Sequence, residues 1–427
     1  MFVFRGRLPV HIALFMFMAL LPWSSVATAQ QRIPLTLAEA EDIAIAGEPG
    51  HQAMLARADA FQEQAVSAGQ LPDPVLRVGL ENYPTDGGGF SAEGMTQAKL
   101  GIRQAFPRGR VRELGSEQMR AKADAFDNSA DARLREVLTS VRNTWLEAYY
   151  SQQAWSLVSE SRPFFADLVT ITRSMYAVGR KSQHDVLRAE LELSRLDDRL
   201  IEADRARSEA QAELSRWLGK DAHRPIAMKL PDWNVPPQLP TLRDGLAAHP
   251  ILAAANAGVS AQQAAVDMAE ENKKPGWALD LGYGYREGYQ PDGQPRSDFV
   301  SLAVTVDLPF FGKNRQDRDL AAALSERSAA EYSRTALAAQ LRSELDVEHA
   351  RWLDLTRRLE LYESRILQQS KGQAQSALLA YQSDTADFSD VMRGFIDDLN
   401  TRLEHIRVQV ERAQSYAVLA NLGGLDK

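Results

Sequence analysis

Strict alternation of apolar and polar positions occurs twice in a chain whose apolar residues otherwise recur at helical spacing. After Pro74, Leu76, Val78 and Leu80 alternate with Arg77, Gly79 and Glu81; then Leu100, Ile102 and Phe106 alternate with Lys99, Gly101 and Arg103. In the second stretch Trp277, Leu279, Leu281, Tyr283 and Tyr285 alternate with Ala278, Asp280, Gly282, Gly284 and Arg286. Val300, Leu302, Val304, Val306 and Leu308 then alternate with Ser301, Ala303, Thr305 and Asp307. A period of two means a strand with one apolar and one polar face. The pattern predicts β-hairpins over 74–106 and 277–308, with polar Gly/Pro-rich loops at Pro84 to Gly94 and Glu287 to Asp298. Strands of about ten residues suit a tilted bilayer crossing.

Two amphipathic hairpins on a soluble core would show the same alternation. The long helical segments on either side, however, offer no compact sheet for them to join, and their polar faces mix small and charged residues as a wet lumen would. Four membrane strands cannot close a barrel, since the smallest spanning barrels have about eight. Open edges are not tolerated in lipid. An open channel needs about twelve strands, hence about three chains.

The expected fold is mainly α with a small transmembrane β part, built as a tandem repeat. Residues 30–219 read as helix, hairpin, long helix, turn and helix, and 241–427 repeat that order. Residues 220–240, with Pro225, Pro231, Pro236, Pro237 and Pro240, form the linker. Leu35 to Ala68 and Leu242 to Lys273 read as the leading helices. Arg108 to Tyr176 and Gly312 to Tyr381 read as long ones of roughly 100 Å each. Leu134, Val137, Leu138, Val141, Trp145 and Leu146 recur at coiled-coil spacing, as do Leu341, Leu345, Trp352, Leu355 and Leu359. Pro163 is expected to kink or break the first long helix.

Arg5 and Arg7 precede an apolar run from Val10 to Leu21, and Ala27-Thr28-Ala29 supplies small residues. This predicts a secretory signal over 1–29, cleaved after Ala29. The formal charge of −8 argues against nucleic acid as a partner. With no cysteine there is neither a disulfide nor a thiol for a lipid anchor. Seven histidines (His11, His51, His184, His223, His249, His349 and His405) show no metal-ligand spacing. No catalytic, cofactor or metal constellation stands out, and Gly87-Gly88-Gly89 lies in a loop rather than after a strand. An enzyme is not expected.

One charged site recurs. Tyr176-Ala-Val-Gly-Arg-Lys-Ser-Gln-His-Asp185-Val-Leu-Arg188 matches Tyr381-Gln-Ser-Asp-Thr-Ala-Asp-Phe-Ser-Asp390-Val-Met-Arg393. Asp185 and Asp390 can serve as helix-start carboxylates paired with the arginine one turn on. Alternatively, copies of Asp185, Arg188, Asp390 and Arg393 at the hairpin tips form rings that narrow a tunnel.

The duplication, Leu71-Pro72-Asp73-Pro74, Gln104-Ala105-Phe106-Pro107 and Tyr176-Ala177-Val178-Gly179 together resemble the outer-membrane efflux protein family, the TolC-like exit ducts of Gram-negative bacteria. The resemblance spans Leu35 to Gly423. It implies a homotrimer with a barrel of about twelve strands in outer-membrane lipid and a helical tunnel through the periplasm. It also implies docking of the tips to a periplasmic adaptor (membrane fusion) protein and an RND-type inner-membrane pump. It assigns Tyr176, Val178, Gly179, Tyr381, Ser383 and Asp384 to adaptor-contacting turns, and Asp185, Asp390, Arg188 and Arg393 to the periplasmic gate. Ser383-Asp384 departs from the Val-Gly common at the tips, and Arg393 from an acidic position seen in some members. Gly79-Leu80-Glu81-Asn82-Tyr83-Pro84, Met95 and Gly101-Ile102-Arg103-Gln104 look like ducts of heavy-metal efflux systems. The alternatives are a multidrug efflux or type I protein secretion duct and, in another class, a periplasmic coiled-coil adaptor or scaffold.

Overall fold

The computed structural model describes residues 33–233, 238–383 and 385–425. The expected signal segment over 1–29 and residues 234–237 of the linker lie outside them. Helices α1 (Leu37–Ile45) and α2 (Pro49–Ala68) precede strands β1 (Val75–Glu81) and β2 (Gln97–Phe106), which lead to α3 (Val111–Ala177) and α4 (Gln183–Leu218). After the linker, α5 (Leu239–Ala247) and α6 (Pro250–Glu271) precede β3 (Trp277–Tyr285) and β4 (Phe299–Val306). Then come α7 (Gln316–Leu361), α8 (Leu367–Gln382) and α9 (Phe388–Gly423).

Each leading segment is two helices where the apolar pattern predicts one. Pro49 and Pro250 each take the first position of a new helix, where a missing N–H costs nothing. The residue before each caps it. Glu48 accepts from the His51 N–H at 2.5 Å, and His249 Nδ1 from the Ile251 N–H at 3.2 Å.

Pro163 does not break α3, which runs unbroken for 67 residues, about 100 Å. The ring removes one bond, to the Ser159 carbonyl, and packing holds the rest. In the second half a π segment, Tyr362–Ile366, separates α7 from α8. Counted back equally from Tyr176 and Tyr381, Ser159 corresponds to Ser364, so both long rods are weakened at one level by different means.

Trp145, with Val137, Val141, Leu146, Leu214 and Val410, is fully buried in the central core. The Trp145 indole donates to the Leu35 carbonyl at 3.2 Å. The Leu35 N–H donates to the Pro225 carbonyl at 2.7 Å, and the Ala227 N–H to the Leu35 carbonyl at 3.0 Å. The linker is therefore no free tether on this side: Ala222 and Ile226 are buried, and Trp233 stacks on Tyr416. A separate core holds Phe165, Leu196, Tyr381, Phe388 and Leu399 near the helix turns.

His249 is buried, accepts at Nδ1 and faces Asn421 Oδ1 from Nε2 at 3.3 Å, which suits the neutral ring. Burial pushes its pKa down against the bond to Asn421, with Arg135 adding to the shift. Below the ordinary imidazole value the unfolded chain takes up a proton that the folded chain resists. Stability is therefore present above about pH 6.5 and falls as pH drops through that value. Thermal melting in detergent between about pH 7.5 and 5.5 should show this loss in the native chain. His249→Asn, which keeps a capping acceptor without titrating, should flatten the profile.

Candidate functional site: strand wall and helical tips

The four strands pair antiparallel in the order β1-β2-β3-β4, joining both hairpins into one sheet. Val78 lies opposite Leu100, Leu100 opposite Tyr283, and Tyr283 opposite Val300. The next row on this face is Leu76, Ile102, Leu281 and Leu302. The alternations of both hairpins are thus in phase, and one face is apolar but for Gln104, which lies opposite Leu279. This face is also uncovered: Val78 is 77% and Leu302 70% exposed.

Aromatic residues mark both ends of this face. Phe106 stacks on Trp277 at 4.0 Å at one end, and Phe90 on Tyr285 at 6.2 Å at the other. Trp277 to Tyr285 spans about 26 Å of strand, or about 20 Å once tilted, close to the apolar band of a membrane barrel. Among the described residues no helix is long and apolar enough to cross a membrane.

Every charged residue of the described strands falls on the other face: Arg77, Glu81, Lys99, Arg103 and Asp280. Glycines floor it, with Arg77 opposite Gly101 and Gly101 opposite Gly282. This leaves room for long side chains to lie across neighbouring strands. Arg77 reaches Asp280, two strands away, at 3.7 Å, and Lys99 lies 3.1 Å from Glu81. Thr305 Oγ1 donates to Asp280 at 3.3 Å. An open trough of about 700 Å³ lies over these groups. Among the described residues no group of three or more His, Cys, Asp or Glu is placed to hold a metal ion.

Beyond the strands, the second hairpin's loop grips the first. Arg286 donates to the Gly94 carbonyl at 3.0 Å, and Arg296 to those of Ser91 and Glu93 at 3.1 Å.

At the opposite end α3 stops at a left-handed Gly179, φ +72°, with the Arg180 N–H donating to the Met175 carbonyl. Tyr176, Val178 and Gly179 are exposed there, Val178 at 71%. Ser182 and Asp185 form a capping box at the start of α4, with Asp185 accepting from the Ser182 N–H at 3.1 Å. Asp185 makes no ion pair with Arg188 among the described residues. Asp390 lies 3.8 Å from Arg393, both exposed. Ser383 is exposed and its hydroxyl donates back to α8 carbonyls; Asp384 lies outside the described residues.

Tyr381 departs from its expected surface role. It is 2% exposed, packed on Phe388 and under the Lys181 ammonium at 4.5 Å, so its ring joins the two turns instead of facing a partner. The Arg77–Asp280 pair escaped the sequence reading. In-phase alternation was its only signal, and that requires knowing that β2 pairs with β3.

The family model for outer membrane efflux proteins matches residues 42–220. Over those residues the chain is similar to outer membrane efflux proteins. Protein CyaE of Bordetella pertussis is 26% identical over 426 residues, covering 95% of this chain and 87% of that protein. Among solved structures, the outer membrane protein VceC of Vibrio cholerae matches with TM-score 0.77 at 16% identity, over 91% of this chain and 96% of VceC. CusC matches with TM-score 0.75 at 13% identity, over 91% and 93%. At such identities the structures speak for the fold, a helical tunnel with a β-barrel part. Other matching structures include the outer-membrane channel OprN and the CmeC outer membrane channel of Campylobacter jejuni.

Neighbouring residues on β4 test the two faces. Val304→Arg places a cation on the apolar face and should cost about 2–4 kcal/mol at mid-membrane, seen as loss of folded protein from the outer-membrane fraction. Ala303→Arg lies opposite Asp280 and should be accommodated.

Proposed function

We propose that three copies close the open edges of β1 and β4 on one another, making a barrel of about twelve strands that continues into a helical tunnel. What supports this reading is the sheet itself: one face largely apolar and uncovered, the other charged, and two edge strands without partners among the described residues. In lipid those edge groups need hydrogen-bond partners, and a further copy supplies them in matching strands.

In this proposal the mature chain, cleaved after Ala29, conducts passively what an RND-type pump and a periplasmic adaptor deliver. Tyr176, Val178, Gly179 and Ser383 face the adaptor, a role that exposure at the turns supports. Rings of Asp390 and Arg393, with Arg188 beside them, narrow the tunnel. Asp185 joins them while holding the first turn of α4. The cargo proposed is heavy-metal cations, on the resemblance of residues 71–84 and 95–104 to metal-efflux ducts. Among the described residues the wall holds no metal-ligand cluster, which suits it to passing such ions without retaining them.

Membrane fractionation with chemical crosslinking should recover the protein from the outer membrane as a trimer; a soluble monomer sinks the duct. Deletion should lower tolerance to copper, zinc, cobalt or cadmium. Unchanged metal tolerance with lost drug tolerance moves the cargo to multidrug efflux, and loss of an exported protein moves it to type I secretion.

A further inference from the structure

The charged face of the sheet has an uneven balance. Lys99 is taken up by Glu81 at 3.1 Å and Arg77 by Asp280 at 3.7 Å. Arg103 lies directly opposite Asp280 in register, yet it makes no ion pair among the described residues. Its side chain is half-buried beside the trough, between the floor glycines and Ala105. Within the strands each chain thus contributes three cations and two carboxylates, both of which already have a cation; just past β4, Asp307 lies 3.8 Å from Arg108.

We infer that Arg103 is a selectivity-determining residue of the conduit, biasing its strand-built section toward small inorganic anions such as chloride. This rests on the three-copy barrel proposed above. Closure would bring three copies of Arg103 to one height around the lumen. Rings of guanidinium groups favour anions, because a low-dielectric wall focuses their field into the pore. Glycine at 101 and 282 makes this possible: Arg77 can lie flat across Gly101 to reach Asp280, leaving Arg103 as the surplus charge. Among the described residues both strand carboxylates are paired; the bias is one of relative permeability, and a cation delivered by a pump passes this section over a higher barrier than an anion does.

The test is reversal potential in planar lipid bilayers across a potassium chloride gradient, using the purified full-length assembly. Arg103→Gln should lower the chloride-to-potassium permeability ratio by about two-fold, and Asp280→Asn should raise it. An unchanged ratio in Arg103→Gln overturns the assignment whatever the native preference, because the helical tunnel is common to both proteins. If Arg103→Gln does not assemble, Asp280→Asn decides: a shift toward chloride supports the inference and no shift overturns it. Absence of any conductance from the native protein would instead remove the duct reading, and this inference with it.

Discussion

Unpaired backbone at the edges of a four-stranded sheet is the constraint from which the rest follows. β1 and β4 each present a row of N–H and C=O groups with no strand partner among the described residues. In water such rows invite uncontrolled pairing, and in hydrocarbon each unsatisfied group costs several kcal/mol. One face of the sheet is apolar but for Gln104, and its two pairs of aromatic rings stand near the ends of the strands. A surface with these properties is at rest only when lipid meets one side and further strands meet both edges.

The helices meet the complementary requirement of standing far from the membrane without a globular core. Small residues between α2 and α3, such as Ala58, Ala65, Ala123 and Ala130, let the rods approach closely, and the large side chains are concentrated lower down. Trp145 is the central anchor, tied through Leu35 to the strand-like run at Pro225–Ala227. The connection between the two halves therefore strengthens the middle of the molecule. Glu48 and Arg133, 3.1 Å apart, tie the start of α2 to α3 in the same way.

Much of this was legible in the residue order, and what was not has identifiable physical reasons. Period-two alternation in Leu76–Leu80 or Trp277–Tyr285 is hard to mimic, so the strands and their faces could be read directly. The breaks at Glu48-Pro49 and His249-Pro250 were hidden because apolar spacing continues through them and a capping side chain is not visible in periodicity. Pro163 misled in the other direction: one absent hydrogen bond is small beside the packing of a rod as long as α3. Tyr176 and Tyr381 hold matching places, yet one is exposed and the other buried, since Lys181 and Phe388 cover only the second. Sequence spacing carries no information about such crossings between helices.

The paired weak points near Ser159 and Ser364 have a mechanical consequence. One rod has lost a rung of its backbone ladder to a proline, and the other has widened five residues of it into a π turn. The backbone irregularities of the two rods therefore fall at a common height, below the Trp145 anchor and above the Tyr381 core. A proline and a π segment are where long helices ordinarily bend, so any flexing of the two rods is concentrated at that shared level.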